Sequence, residues 1–265
     1  MGKLKQQIWY DIQTGTLQIW YAYLIYMVII IFVTESMYHK MAWMDCISGY
    51  FRGIIEASRM EQVQSFRIPI EWFLFHMGYL FFVVRYPFLD YAKRGYQFLI
   101  RSGGKGIWWF SKFLWVIGTA VGYCLIFYMV TFFWNQLLGR EILWQQNDRW
   151  GFALGTYRMD YIIWLLFGIP VLVSAALSAF VLLLSFLWNQ AGAVIGMLTV
   201  LTASAYWKHP WLIGNYTMLY RYDFVGGKWE QQLFYGTVIC IGILCLCGGL
   251  GYLSFRKREW LQKEE

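Results

Sequence analysis

Apolar residues fall into long blocks separated by short polar stretches. Six blocks are long enough to cross a bilayer as helices: about 19–37, 69–89, 113–134, 162–187, 190–207 and 233–255. A hydrocarbon core ~30 Å thick takes about 20 residues in helical form, since no backbone group can stay unpaired there. The pattern predicts an all-α polytopic protein with six transmembrane helices, forming one membrane domain over 19–255. Ahead of it, Leu4, Ile8 and Ile12 recur every four residues among Lys3, Lys5 and Gln7. That spacing suits an N-terminal helix lying in the interface over 1–18, with a frayed tail as the alternative because Thr14 and Gly15 weaken its far end. Residues 256–265 read as a polar tail.

Composition removes other classes. Of 265 residues, 59% are hydrophobic and 14% charged, against about a quarter charged in soluble domains. A soluble enzyme is excluded, and spans and short loops leave no room for a separate folded catalytic domain. The N-terminal stretch has no apolar run ending at a small-residue cleavage site, so targeting by the first span is expected. Cys46, Cys124, Cys240, Cys245 and Cys247 form no CxxC and have no nearby His; they read as buried small hydrophobes, with no metal or disulfide framework implied.

Six spans put both termini on one side. That side collects twelve Lys and Arg against ten on the other, a narrow margin, but 85–112 concentrates Arg85, Lys93, Arg94, Arg101, Lys105 and Lys112 against Asp90 alone. The positive-inside rule then places both termini in the cytoplasm. The net charge of +7 becomes a juxtamembrane property, and no nucleic-acid partner is expected. Trp43, Trp144, Trp150, Trp207, Trp211 and Trp229 fall near the outer ends and Trp108, Trp109, Trp188 and Trp260 near the inner ends, as interfacial anchors would.

Reactive chemistry is sparse. His76 is the one deep ionisable residue in a span, while Glu35, Glu71 and Arg85 sit near span ends; a hydrogen bond within the bundle is the expectation for His76, with a proton relay as the alternative. Pro170 is expected to kink the fourth span. Gly104-Lys105 and Gly227-Lys228 fail as phosphate loops, since Leu99 and Tyr222 stand where Gly is needed and Gly106 and Trp229 where Ser or Thr is. HExxH and GxSxG are absent too. No catalytic, cofactor-binding or metal-binding residue is expected on this chain.

One segment carries more information. The run YPFLDYAKRGYQFLIRSGGKGIWWFSKFLW begins at Tyr86 and mixes apolar anchors with cations and glycines. Read as a helix from about Leu89 to Arg101, it sets Tyr96, Leu99 and Ile100 on one side, a face for docking on another protein or for resting on lipid headgroups. Gly103-Gly104 would end it.

This run resembles the segment after the second helix in membrane subunits of bacterial ABC-2-type ABC transporters, where a Tyr-Pro-Phe turn precedes a Leu-Ile-Arg-Ser-Gly stretch. HPWLIGNYTMLYR at 209–221 and the very short turn at Trp188-Asn189-Gln190 fit the same order of elements. Gly104 and Gly106 depart from it, standing where basic or small polar residues are commoner. The resemblance implies a permease subunit in a bacterial cell membrane, with a coupling segment at 86–112 and an outer segment at 206–232. Lys93, Arg94, Gly95, Tyr96, Leu99, Ile100, Arg101 and Lys105 would contact cytoplasmic ABC ATPase subunits, which alone would bind ATP and Mg. A second permease chain, identical or homologous, would complete a substrate path between spans two and five.

On that path the resemblance places Phe73, Met77, Leu80, Phe81, Thr199 and Thr202. This lining favours hydrophobic or amphipathic cargo such as an antimicrobial peptide or lipid. Gly192 and Gly196 form a small-xxx-small pair, either a dimer seam or a close contact within the chain; the span-six glycines read as internal packing. Two alternatives stay open: a membrane sensor or assembly partner using the same basic loop, and a lipid-modifying membrane enzyme, for which His209, Asp223 and Glu230 are the nearest cluster.

Overall fold

The computed structural model describes residues 2–40, 46–54, 68–78, 83, 86–87, 90, 104–140, 158–224 and 226–257, and these are helices and connecting turns, with no strand among them. Four helices are long and apolar enough to cross a membrane: Gly2–His39, Lys105–Leu137, Met159–Leu187 and Trp229–Arg256; Gln190–Tyr206 is apolar but shorter.

The first helix, α1, runs unbroken over Gly2–Lys40. The arm and the first span, separate in the sequence reading, are therefore one rod of 39 residues, about 58 Å long at 1.5 Å per residue. A single stripe explains the continuity. Gln7, Asp11, Gly15, Ile19, Ala22, Tyr26, Ile30, Val33 and Met37 are buried at helical spacing, while Trp9, Leu17, Leu24, Val28 and Phe32 are exposed. At Gly15 a Cβ would stand 2.6 Å from the Trp115 ring. The glycine that weakens the helix locally is the one that lets its neighbour approach.

Two short helices follow, α2 (Cys46–Phe51) and α3 (Ile70–Met77), and then α4 (Lys105–Leu137). Beyond α3, positions 83, 86, 87 and 90 are helical, and the rest of the expected second span lies outside the described residues. The described positions descend along α4 in antiparallel register. The Tyr123 hydroxyl donates to the Phe75 carbonyl at 2.9 Å, Tyr86 packs on Trp115, and Asp90 pairs with Lys112.

The third long helix, Met159–Leu187, contains α5 (Met159–Ile163), a π-helical turn (Trp164–Gly168) and α6 (Ile169–Leu187). Pro170 accounts for the irregularity. It has no N–H to offer the carbonyl four residues back, on Leu166, and that oxygen accepts the Tyr128 hydroxyl at 2.7 Å. The chain takes up the proline with a wider turn and a side-chain donor. α6 is the central helix, packed against α4, α7 (Gln190–Tyr206) and α8 (Trp229–Lys257). Ser174, Ala175, Ala176, Ser178 and Ala179 let those neighbours close in on it. Asn189 caps α7, accepting from the Gly192 amide at 2.7 Å.

Two 3-10 turns, Ile213–Thr217 and Leu219–Arg221, plug one end of the bundle. Arg221 is buried there and donates to the Ala205 carbonyl at 2.6 Å, placing a cation at the C-terminal end of α7, where the helix dipole favours it. At the opposite end α8 meets the start of α4. Trp108 stacks on Phe255 at 4.8 Å, and the Trp109 indole donates to the Gly248 carbonyl at 3.0 Å. Trp108 and Trp109 are thus fully buried and are core residues, not interfacial anchors; Trp229 is buried likewise. Among the span-six glycines, Gly236, Gly248 and Gly251 face close side chains, whereas Gly242 and Gly249 have open space. Cys124, Cys240 and Cys247 are buried, but Cys245 is exposed.

Candidate functional site

Three buried charged groups gather where α1, Tyr86, Asp90 and α4 meet. Lys112, Asp11 and Asp90 are each at most 5% exposed. The Lys112 Nζ lies 2.7 Å from Asp11 Oδ1 and 2.6 Å from Asp90 Oδ2, and donates at 3.2 Å to the Tyr86 hydroxyl. Hydrogen-bond geometry is met toward Asp11 and Tyr86, whereas the Asp90 contact is an ion pair, its Oδ2 having no hydrogen-bond partner among the described residues. Asp11 also accepts from Tyr86 at 3.0 Å, from Gln7 at 3.3 Å and from Ser111. Lys112 Nζ also stands 4.3 Å from the Tyr86 ring centroid. Two opposed carboxylates compensate the buried ammonium, and removing one partner of such a buried pair costs about 3–5 kcal/mol.

The position of this knot matters more than its strength. Asp90 and Lys112 bracket the segment 91–111, so their ion pair closes the base of that segment, while Asp11 joins the base to α1. A second tie holds α1 to α4 at the far end. Arg140 grips Glu35 with two nitrogens at 2.7 and 3.0 Å, Trp134 donates to the same carboxylate at 2.5 Å, and the guanidinium lies 3.7 Å from the Tyr38 ring centroid. With Gly15 against Trp115 between them, α1 and α4 are fastened along their length.

Sequence reasoning missed this knot. It counted Lys112 among loop cations and Asp11 with an interfacial arm; the structure puts both inside, so one of the six cations of 85–112 is neutralised within the fold. The signal was present. Asp11 continues the stripe through Gly15 and Ile19, and an acidic residue on a buried stripe demands a buried cation.

The sequence-derived site residues are distributed as follows. Lys93, Arg94, Gly95, Tyr96, Leu99, Ile100 and Arg101 lie outside the described residues, as do Leu80 and Phe81. Lys105 begins α4, its Nζ donating to the Arg256 carbonyl at 3.4 Å. Met77 is buried and Phe73 half-buried against the core. Thr199 is exposed and returns its hydroxyl to the Ile195 carbonyl at 2.9 Å; Thr202 is half-buried. Gly192 sits over Trp188 and Asn189, and Gly196 over Leu184, where a Cβ would approach to 2.8 Å. Both glycines thus make close contacts within this chain.

His76 is fully buried, with Nε2 3.0 Å from the Thr217 hydroxyl. That hydroxyl accepts from Trp72 at 2.7 Å and donates to the Gly214 carbonyl at 2.9 Å, so its one proton is committed and His76 is the donor to it. The arrangement pins α3 to the 3-10 plug. Among the described residues no group of three or more His, Cys, Asp or Glu could hold a metal ion. No known protein family, curated protein or solved structure matches the chain.

Proposed function

We propose that this chain is the membrane subunit of an ABC-2-type exporter in a bacterial cell membrane, crossing six times with both termini in the cytoplasm. In this reading the 91–104 segment is a coupling helix seated on cytoplasmic ATPase subunits, which bind ATP and Mg. Two permease chains form a path for hydrophobic or amphipathic cargo, an antimicrobial peptide or a lipid, lined by Leu80, Phe81, Thr199 and Thr202 and backed by the more buried Phe73 and Met77; Gly192 and Gly196 serve packing within the chain. The ATPase subunits do the chemistry; this chain supplies a lever and a passage.

The observation that carries the reading is the Lys112 knot. A motor that pushes on a segment between two helices moves the bundle only if the base of the segment is stiff. The Asp90–Lys112 pair at 2.6 Å and its tie to Asp11 at 2.7 Å supply that stiffness and direct the load into α1 and α4 together. Motion of paired rigid elements between two discrete arrangements is how such closure becomes alternating access. The antiparallel order in which Phe75, Tyr86 and Asp90 meet α4 and the apolar character of Gln190–Tyr206 support counting spans two and five. Charge reversal tests the reading: Arg101→Glu with Lys105→Glu is expected to abolish co-purification of the ATPase while membrane insertion is retained. Unchanged recovery of the complex contradicts the coupling role.

A further inference from the structure

A cavity of about 480 Å³ opens at the plugged end of the bundle, between the 208–222 segment and the first turns of α8. Its volume is within the ~300–1,000 Å³ of ligand sites. Its lining is ordered by polarity. Lys208 and His209 stand exposed at the rim, Asn215, Tyr216 and Tyr222 are buried as the floor, and Tyr235 and Ile239 of α8 form one side.

Three features select an occupant. The first is the side wall. Tyr235 is 59% exposed, and its neighbours Phe234, Val238 and Ile241 are exposed apolar residues as well; the cavity therefore opens toward the surface that an apolar helix turns to lipid. The second is an unanswered acceptor. The Asn215 Nδ2 donates to the Trp207 and His209 carbonyls at 3.0 and 3.2 Å, which fixes the amide orientation, and its Oδ1 is left buried with no partner among the described residues. Such an oxygen is costly unless something donates to it, about 1–3 kcal/mol. The third is charge. The described lining contains Lys208 and Arg221 but no carboxylate. Burial pushes the Tyr216 phenol up to about 12, so it stays neutral, its hydroxyl given to the Pro210 carbonyl at 3.0 Å.

We propose that this cavity holds the head of an anionic membrane phospholipid, a phosphodiester with a hydroxylated substituent of the phosphatidylglycerol type. The phosphate lies in the positive field of Lys208 and Arg221, the substituent hydroxyl donates to Asn215 Oδ1, and the acyl end leaves past Tyr235 and Ile239 into the bilayer. A purely apolar guest leaves Asn215 unanswered, and a zwitterionic choline head brings a cation and no hydroxyl donor. The site is independent of the coupling reading, because it lies at the end of the bundle away from the Lys112 knot.

The test is native mass spectrometry of the full-length protein, delipidated in detergent and titrated with phosphatidylglycerol, phosphatidylcholine or glycerol phosphate. The wild type is expected to retain phosphatidylglycerol in preference to phosphatidylcholine. Ile239→Trp, which fills the side wall, and Lys208→Glu, which reverses the rim, are each expected to weaken that retention roughly tenfold, while both variants unfold at the wild-type temperature without lipid. Equal retention of the two lipids, or unchanged retention by both variants, overturns the site. Glycerol phosphate binding as tightly as the lipid overturns the assignment to a membrane lipid.

Discussion

The energetically dense residues of this molecule are few. Lys112 is paired with two buried carboxylates, so Lys112→Ala leaves them repelling one another out of water. A loss of about 3–5 kcal/mol is expected, read as a fall in unfolding temperature in detergent. The swapped pair Asp90→Lys with Lys112→Asp regains little, because Asp11 then faces a carboxylate; retention of full stability by Lys112→Ala contradicts a compensating role for the two buried ion pairs. Gly251 is a different kind of constraint. A Cβ there would run into the Trp109 ring, so Gly251→Ala is expected to cost about 1–3 kcal/mol despite the better helix propensity of alanine. Adding Trp109→Phe is expected to relieve part of the loss, a coupling that a double-mutant cycle measures. Of these residues the sequence exposes only fragments. Gly251 sits in a glycine-rich span and was readable as packing, whereas the Asp11–Lys112 pair spans 101 positions and leaves no local trace beyond an acid on an apolar stripe.

At the scale of elements, the long helices were legible because a bilayer needs uninterrupted apolar length, and four of the predicted blocks stand as long apolar helices. Their ends were not. α1 extends through Gly15 because tertiary contact with Trp115 outweighs the propensity of one residue, and propensity is all that periodicity records. The interior of the Met159–Leu187 helix makes the same point. Pro170 announces a defect, but its repair by Tyr128 is a contact between helices. Tyr128→Phe is expected to leave the Leu166 carbonyl unpaired at a cost of about 1–3 kcal/mol. In a Pro170→Ala background, where residue 170 regains an N–H, the same change is expected to cost much less. Equal costs in both backgrounds contradict the account of the π-helical turn.

Considered as a whole, the molecule is a bundle cross-tied at both ends of α1 and α4 and centred on the mostly buried Met159–Leu187 helix, whereas the spans of α1 and α8 are mostly exposed. The exposed apolar faces of α1, α4 and α8 match a lipid surround. The candidate site was legible in part. The YPFLDYAKRGYQFLIRSGGKG run drew notice through its mixture of cations and anchors, but the knot at its base requires knowing that Asp11, Asp90 and Lys112 share a point in space. His76 fits the structural expectation through Thr217; His76→Ala is expected to preserve most transport while lowering stability by about 1 kcal/mol, and an inactive variant that still assembles contradicts that.

The central claim is that this chain works as the membrane half of an ATP-driven machine. Purification of the tagged protein from its native host in mild detergent, followed by mass spectrometry of what accompanies it, tests the claim directly. The account predicts a stoichiometric cytoplasmic subunit carrying a phosphate loop, together with a second permease chain. Recovery of this protein alone, intact and monodisperse, contradicts it.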